Sequence, residues 1–304
     1  MNTKLQTVFG YPALNVKRAY HKAYEKTLPE NEYPLVDNNI LFGLEVEAEN
    51  IPNPPSFLYY WHTVKDGSLR NNGKEFVSIP MRASQIEPAL AYLKSCLNYY
   101  KNNYEFSPRT SVHIHMNVRD FSWDRVKTFM LLYAIFERHF FHLVGRVRES
   151  NIFCVPLYKT NQLDNILTLE ELPKWHKYNA VNLACIYGDD DVKPYGTIEF
   201  RHLYGTLDSK TILTWVNNIE CLHKYSKLIS LDNLLDTIKE LNTTSEYVAL
   251  YQTVFGEYAN IRTMLKQDFE FCISTTKRAL WGKALNYRYS IKAGSAYDNF
   301  KQTL

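Results

Sequence analysis

The chain has 304 residues, is 45% hydrophobic and 22% charged, and carries a formal net charge of +3. That composition excludes a disordered chain and allows a full hydrophobic core, and so small a charge gives no reason to expect nucleic acid as a partner. The five cysteines show no CxxC spacing, so neither a zinc knuckle nor a disulfide framework is expected, and a reducing cytoplasm fits. The N-terminus does not read as a signal peptide, and no run of 18 apolar residues predicts a membrane span.

Residues 1–38 read as a lead-in, with a short basic and aromatic helix expected over 16–26. Strands are predicted over 40–48, 57–63 and 74–79, with an Asp66-Gly67-Ser68 turn before the third. Ser84 reads as the N-cap of a helix striped by Ile86, Leu90, Leu93 and Leu97. Residues 110–118 alternate strictly, with Val112, Ile114 and Met116 on one face and Ser111, His113, His115 and Asn117 on the other. Ser122 then caps a long helix to about Val144, apolar over most of its surface and therefore buried. After an irregular stretch over 146–157, strands are predicted at 180–186 and 196–203. From Ser209 to roughly Leu280 the pattern is helical, beginning with the stripe Ile212, Trp215, Val216, Ile219 and Leu222. The expected class is α+β: an antiparallel or mixed sheet with helices packed on one face, followed by a helical region.

Three of these strands carry polar residues two apart: Glu45 and Glu47, His113 and His115, Glu199 and Arg201. A period of two puts each pair on one sheet face. Paired carboxylates repel unless a cation lies between them, and hard divalent cations take oxygen ligands; the other reading is a solvated strand face. His113 and His115, with Asn117 beside them, read as metal ligands, phosphate contacts or core histidines. A cupin-type HxH site wants a glutamate four or five residues on, where Arg119 and Asp120 stand. Glu199 and Arg201 suit a cation and a phosphate, or a simple salt bridge. Glu75 and Asp66 supply further acidic groups nearby in the chain. His139 and His142 do not form an HExxH register and read as helix surface or packing. No GxxxxGK or GxGxxG loop occurs, so a nucleotide would have to be held through metal and arginine.

Six segments occur in order. They are Phe42-Gly43-Leu44-Glu45-Val46-Glu47, Val64-Lys65-Asp66-Gly67-Ser68-Leu69 and Gly73-Lys74-Glu75-Phe76-Val77-Ser78-Ile79-Pro80. Then come Ser111-Val112-His113-Ile114-His115-Met116-Asn117, Tyr178-Asn179-Ala180-Val181-Asn182-Leu183 and Gly196-Thr197-Ile198-Glu199-Phe200-Arg201. Together they resemble the amidoligase family of the carboxylate–amine ligase superfamily, which also holds glutamine synthetase and glutamate–cysteine ligase. The resemblance covers about residues 40–222.

The resemblance implies a curved antiparallel sheet of the glutamine synthetase type with its site on the concave face. The catalytic core would run over 39–228 and a helical C-terminal extension over 229–304. It implies an ATP-dependent ligase that forms an amide through an acyl phosphate, using two or three Mg2+ ions, or Mn2+ in their place. Glu45, Glu47, Glu75, His113 and Glu199 would be metal ligands, and His115 and Asn117 would face the nucleotide. Arg201 would hold the transferring phosphate, and Arg146 and Arg148 a phosphate or the substrate carboxylate. Asp66 would bind metal or take the amine's proton. The partners would be a carboxylate and an amine carried by small molecules, peptides or proteins, with no membrane. A metal-dependent hydrolase and a catalytically inactive binding module are the alternatives. Arg201 beside Glu199 favours the ligase, because a phosphate needs a cation.

Overall fold

Six short extended segments pair into one antiparallel sheet. Its strands are β1 (Phe42–Ala48), β2 (Trp61–Val64), β3 (Lys74–Ser78), β4 (Ser111–Asn117), β5 (Val181–Asn182) and β6 (Thr197–Tyr204), in spatial order β2-β3-β1-β4-β6-β5. The molecule is seen as a computed structural model that describes residues 3–11, 40–55, 58–160, 162, 172, 175–188, 194–259 and 270–271. Among the described residues the helices are α1 (Leu5–Phe9), α2 (Ala83–Tyr99), α3 (Trp123–Leu143), α4 (Ala184–Tyr187), α5 (Ser209–Leu228), α6 (Leu231–Glu240) and α7 (Thr244–Phe255). None is long and apolar enough to cross a membrane. The expected helix over 16–26 lies outside the described residues, as does nearly all of the chain after residue 259.

One sheet face is apolar. Leu44, Val46, Phe76, Val112, Ile114 and Phe200 are all buried, in one core cluster with the apolar sides of α2, α3 and α5. Phe200 packs edge-on against Trp215 of α5 and Phe129 of α3. Each such side chain contributes roughly 1.5–3 kcal/mol of burial energy, which keeps these helices on this face and leaves the opposite face for polar groups. α3 is buried around most of its circumference, as its composition predicted, and Ser122 caps it by accepting the Arg125 N–H. α1 also joins the core: Leu5 is fully buried and its N–H donates to Phe121 O at 2.7 Å.

Side-chain hydrogen bonds move two predicted boundaries. α2 starts before Ser84; its N-cap is Arg82, whose N–H is accepted by Gln85 Oε1 at 3.0 Å. The strand expected over 180–186 ends at Asn182, because Asn182 Oδ1 accepts the Ala184 N–H at 2.8 Å and turns the chain into α4.

The pairing of β4 with β6 contains a register shift. Ile114 opposes Phe200 but Val112 opposes Leu203, so His113 faces two residues, Arg201 and His202. Arg201 shares the face of Glu199 by ordinary alternation, and the bulge that follows sends both His202 and Leu203 into the core, where each is fully buried.

β6 ends at Gly205, whose N–H donates to Thr110 O at 3.0 Å. A Cβ there would lie 2.2 Å from Thr110 Oγ1 and 2.8 Å from Phe106 Cδ1. Gly205→Ala is expected to destabilise the protein by about 1–3 kcal/mol through overpacking, read as a lowered midpoint in thermal unfolding. An unchanged midpoint would contradict this close approach.

Candidate active site

The polar face gathers its side chains through strand register. Glu45 sits opposite His113, Glu47 opposite Glu75, and Glu199 opposite both His115 and Asn182. Directly opposed residues have Cβ atoms about 4.5–5.5 Å apart, so pairing alone brings four carboxylates and two imidazoles together.

A short chain of hydrogen bonds orients His113. Ser111 donates its N–H (2.7 Å) and its hydroxyl (2.6 Å) to Glu47 Oε2. With its proton committed there, the Ser111 hydroxyl accepts from His113 Nε2 at 2.8 Å. The network thus puts the ring proton on Nε2. Nδ1 then faces Glu45 Oε2 at 3.1 Å and Glu199 Oε1 at 3.2 Å. Three acceptors meeting at one point require a second proton or a cation between them.

His115 presents a similar arrangement. Its buried Nε2 is 3.1 Å from Glu45 Oε1 but out of line for a hydrogen bond, and the Cys185 thiol also lies against the ring. Its Nδ1 lies 3.1 Å from Thr197 Oγ1. Donor atoms of Glu45, His115 and Glu199 all lie within 4.8 Å of one another. Imidazole nitrogen and carboxylate oxygen at this spacing fit a divalent ion such as Mg2+ or Mn2+. His113 was expected among the metal ligands and His115 to face the nucleotide. The geometry sets His113 against both Glu45 and Glu199, and brings His115 into the ligand-spaced group with the same two carboxylates.

A cleft of about 260 Å3 opens over this face. Glu45, Glu47 and Glu75 line it, together with two clusters of loop and strand residues. In one cluster, Arg109 Nη1 donates to Ser68 O at 3.1 Å, and Asp66 Oδ1 accepts the Ser68 N–H at 2.7 Å. In the other, Arg201 donates to Glu199 Oε1 and, through Nε, to Phe153 O at 3.0 Å. Arg148 Nε donates to Arg201 O at 3.1 Å. Tyr178 lies beneath the Arg201 guanidinium, 5.9 Å from centroid to Cζ. Arg148 is only 3% exposed, and no carboxylate reaches ion-pair distance of it among the described residues. Its burial lowers the guanidinium's pKa, against the pull of Cys154 and Glu47. Glu199, His115 and Asn117 stand outside the cleft lining, and Asn117 accepts the Arg119 N–H at 3.4 Å. Arg146 belongs to the 3-10 turn Arg146–Ser150, and its side chain lies outside the described residues.

Sequence reading gave no role to Arg109, Phe153 or Tyr178, which sit on aperiodic loops. It also missed two neighbours of Glu199. Asn182 Nδ2 donates to Glu199 Oε2 at 2.7 Å, and Cys185 Sγ lies 3.8 Å from the same oxygen. Asn182 alone was visible in principle, as a polar residue between apolar strand neighbours.

Charge crowding sets the titration of the site. Burial works against ionised Glu45, but His115 and His113 outweigh it and hold the carboxyl well below its usual range. Burial likewise opposes the charge on Arg201, and Glu199 with Glu45 and Glu47 overcomes it. Among the described residues Glu75 has no such cation. Burial, then repulsion from Glu45, Glu47 and Asp66, pushes it up from 4.5 to about 9. Between those two values the folded state keeps a proton that the unfolded chain has released, so stability falls as pH rises. In chelator-treated protein, the thermal midpoint should therefore drop between pH 5 and pH 9, and Glu75→Gln should reduce that drop. The midpoint of the variant at pH 8 should rise by about 2–4 °C for each kcal/mol of repulsion removed. Equal pH profiles for the two proteins would show that Glu75 is not crowded as described.

The model of the family described as "Putative amidoligase enzyme" matches residues 65–221, a little over half of the chain. The matched span holds Asp66, Glu75, both histidines, Glu199 and Arg201, while Glu45 and Glu47 precede it on the strand that pairs with β3 and β4. A search of curated proteins returns no match. With the residues of this face arrayed over an antiparallel sheet and the family model spanning most of that sheet, the chain belongs to this amidoligase family.

Proposed function

We propose that the protein is an ATP-dependent carboxylate–amine ligase that forms an amide bond through an acyl-phosphate intermediate. The observation carrying this reading is the double character of the cleft. Carboxylates and an imidazole line the cleft at Glu45, Glu47, Glu75 and His113, with the ligand-spaced group Glu45, His115 and Glu199 reaching behind that lining, and beside them lies a buried arginine, Arg148, that has no carboxylate partner among the described residues. A hydrolase that activates water needs the first part and not the second. Phosphoryl transfer needs both, because its demands are positioning and neutralisation of phosphate charge.

ATP with two or three Mg2+ ions, or Mn2+, would supply the phosphoryl group that makes a carboxylate electrophilic. Glu45, Glu199, His113 and His115 would hold one cation, and Glu47 and Glu75 another. Glu47 also fixes the His113 ring through Ser111. Arg201 would neutralise the transferring phosphate, and Arg148 would face a second anionic group, either phosphate or substrate carboxylate. His115 and Asn117 would line the nucleotide's path, and Arg146 stays in the same role as Arg148. Asp66, on a turn at the cleft, would take the proton of the attacking amine.

Residues 39–228 would be the catalytic core, with 1–38 and 229–304 added to it. The carboxylate and amine would belong to a small molecule, peptide or protein, and the enzyme would work in the cytoplasm.

The test is ADP release from pure protein given Mg-ATP and a mixture of amino acids. Turnover is expected, with Glu45→Ala and Arg201→Ala each lowering kcat by about 10²–10³-fold. No ADP release, together with no Mg-ATP binding by calorimetry, would overturn the ligase reading. Turnover that survives both substitutions would show that the site is elsewhere.

A further inference from the structure

Behind the sheet, on the face opposite the cleft, lies a buried polar chain. Glu137 projects from the interior of α3 and is 2% exposed. Its Oε1 accepts the Tyr133 hydroxyl at 2.8 Å and the Leu157 N–H at 2.7 Å, and its Oε2 accepts the Tyr158 N–H at 3.1 Å. The Tyr133 oxygen in turn lies 2.7 Å from His202 Nε2. Since the tyrosine proton goes to Glu137, His202 Nε2–H is the donor in that contact. Tyr133 and His202 are both fully buried. No cation pairs with Glu137 among the described residues.

A carboxylate without a cation inside a packed helix costs several kcal/mol in lost hydration. An apolar side chain would serve the helix better. What Glu137 supplies is three directional contacts, and all three lead toward the cleft. His202 is the extra residue of the bulge, next to Arg201 in the chain. Leu157 and Tyr158 end the loop that carries Arg148 and Phe153. The loop is closed on itself where Tyr158 Oη donates to Glu149 Oε1 at 2.6 Å and Lys159 Nζ donates to Glu149 O at 2.9 Å. Arg201 Nε and Arg148 Nε then tie loop and strand together through Phe153 O and Arg201 O.

We propose that Glu137 and Tyr133 are positioning residues for the two cleft arginines: through His202 they hold the bulge that aims Arg201, and through the Leu157 and Tyr158 amides they hold the loop that aims Arg148. Neither touches the cleft. The consequence for catalysis rests on the ligase reading; the positioning itself does not. Misplacement of about 1 Å at a group that neutralises transition-state charge costs of the order of 10²-fold in rate.

The test uses the full chain and three variants. Tyr133→Phe removes one hydroxyl from the chain without changing side-chain volume. Glu137→Gln keeps an acceptor at Oε1 but sets an amide N–H₂ against the Tyr158 N–H. Tyr251→Phe is the control, since it deletes a buried hydroxyl bonded to His139 Nε2 at 2.7 Å on the same helix, away from the bulge and loop. The first readout needs no substrate: the protected side-chain Nε–H NMR signals of Arg201 and Arg148, assigned with Arg201→Lys and Arg148→Lys. Tyr133→Phe and Glu137→Gln should shift these signals or abolish their protection, and Tyr251→Phe should leave them in place. The second readout is ADP release, where kcat should fall about 10-fold or more in the first two variants while the Mg-ATP Kd stays within about 2-fold. Unchanged arginine signals in Tyr133→Phe, or an equal loss in Tyr251→Phe, would overturn the proposal. Shifted signals in a protein whose parent releases no ADP would defeat the ligase reading and leave the positioning intact.

Discussion

The constraint on which the molecule turns is like charge held at fixed distance. Antiparallel register puts Glu47 directly across from Glu75 and Glu45 one strand from His113. A backbone ladder does not yield to side-chain repulsion, so the repulsion must be answered locally. The answers are visible one by one. Ser111 gives two hydrogen bonds to Glu47, and Asn182 and Arg201 donate to Glu199. Two histidines crowd Glu45. Among the described residues Glu75 has no donor of this kind and answers by holding its proton. Such an arrangement is costly to an apoprotein and favourable to one that binds cations, because each ion removes several repulsions at once.

The two faces of the sheet divide the work. Among the described residues, α2, α3 and α5 pack on the apolar side, where the Phe200, Trp215 and Phe129 rings meet. The polar side is left to the short α4, whose Cys185 lies against Glu199, and to loops that contribute Arg109, Phe153 and Tyr178 to the cleft. Rigid strands therefore carry the groups that must hold fixed distances, and loops carry the groups that would meet whatever enters.

That division also explains how much could be read from the sequence. Residues on strands obey a period of two, so Glu45 with Glu47, and His113 with His115, announce a shared face from their spacing alone. Loop residues obey no period; Arg109 and Phe153 are ordinary residues in ordinary stretches until the fold brings them to the cleft, and Tyr178, though it opens one of the six segments, has no spacing that marks it as a cleft residue. The strand predicted over 180–186 stopped early because a single side chain, Asn182, captured the Ala184 amide, a local contact that hydrophobic patterning does not register. His139, predicted as surface or packing, is a fully buried packing residue bonded to Tyr251. Glu137, two positions earlier in a helix correctly predicted as buried, was given no role beyond failing an HExxH register, since nothing in sequence distinguishes a glutamate at a helix surface from one aimed inward at backbone amides.

The extra residue in β6 has a further effect on how the strand serves its two faces. A regular strand couples its two faces: inserting or deleting one position swaps every later side chain from one to the other. At His202 that coupling is interrupted. Upstream, Glu199 and Arg201 keep step with the cleft; downstream, Leu203 keeps step with Val112 in the core. The bulge works as a slip joint between chemistry and packing: the residues beyond it keep step with the core while the arginine keeps step with the cleft.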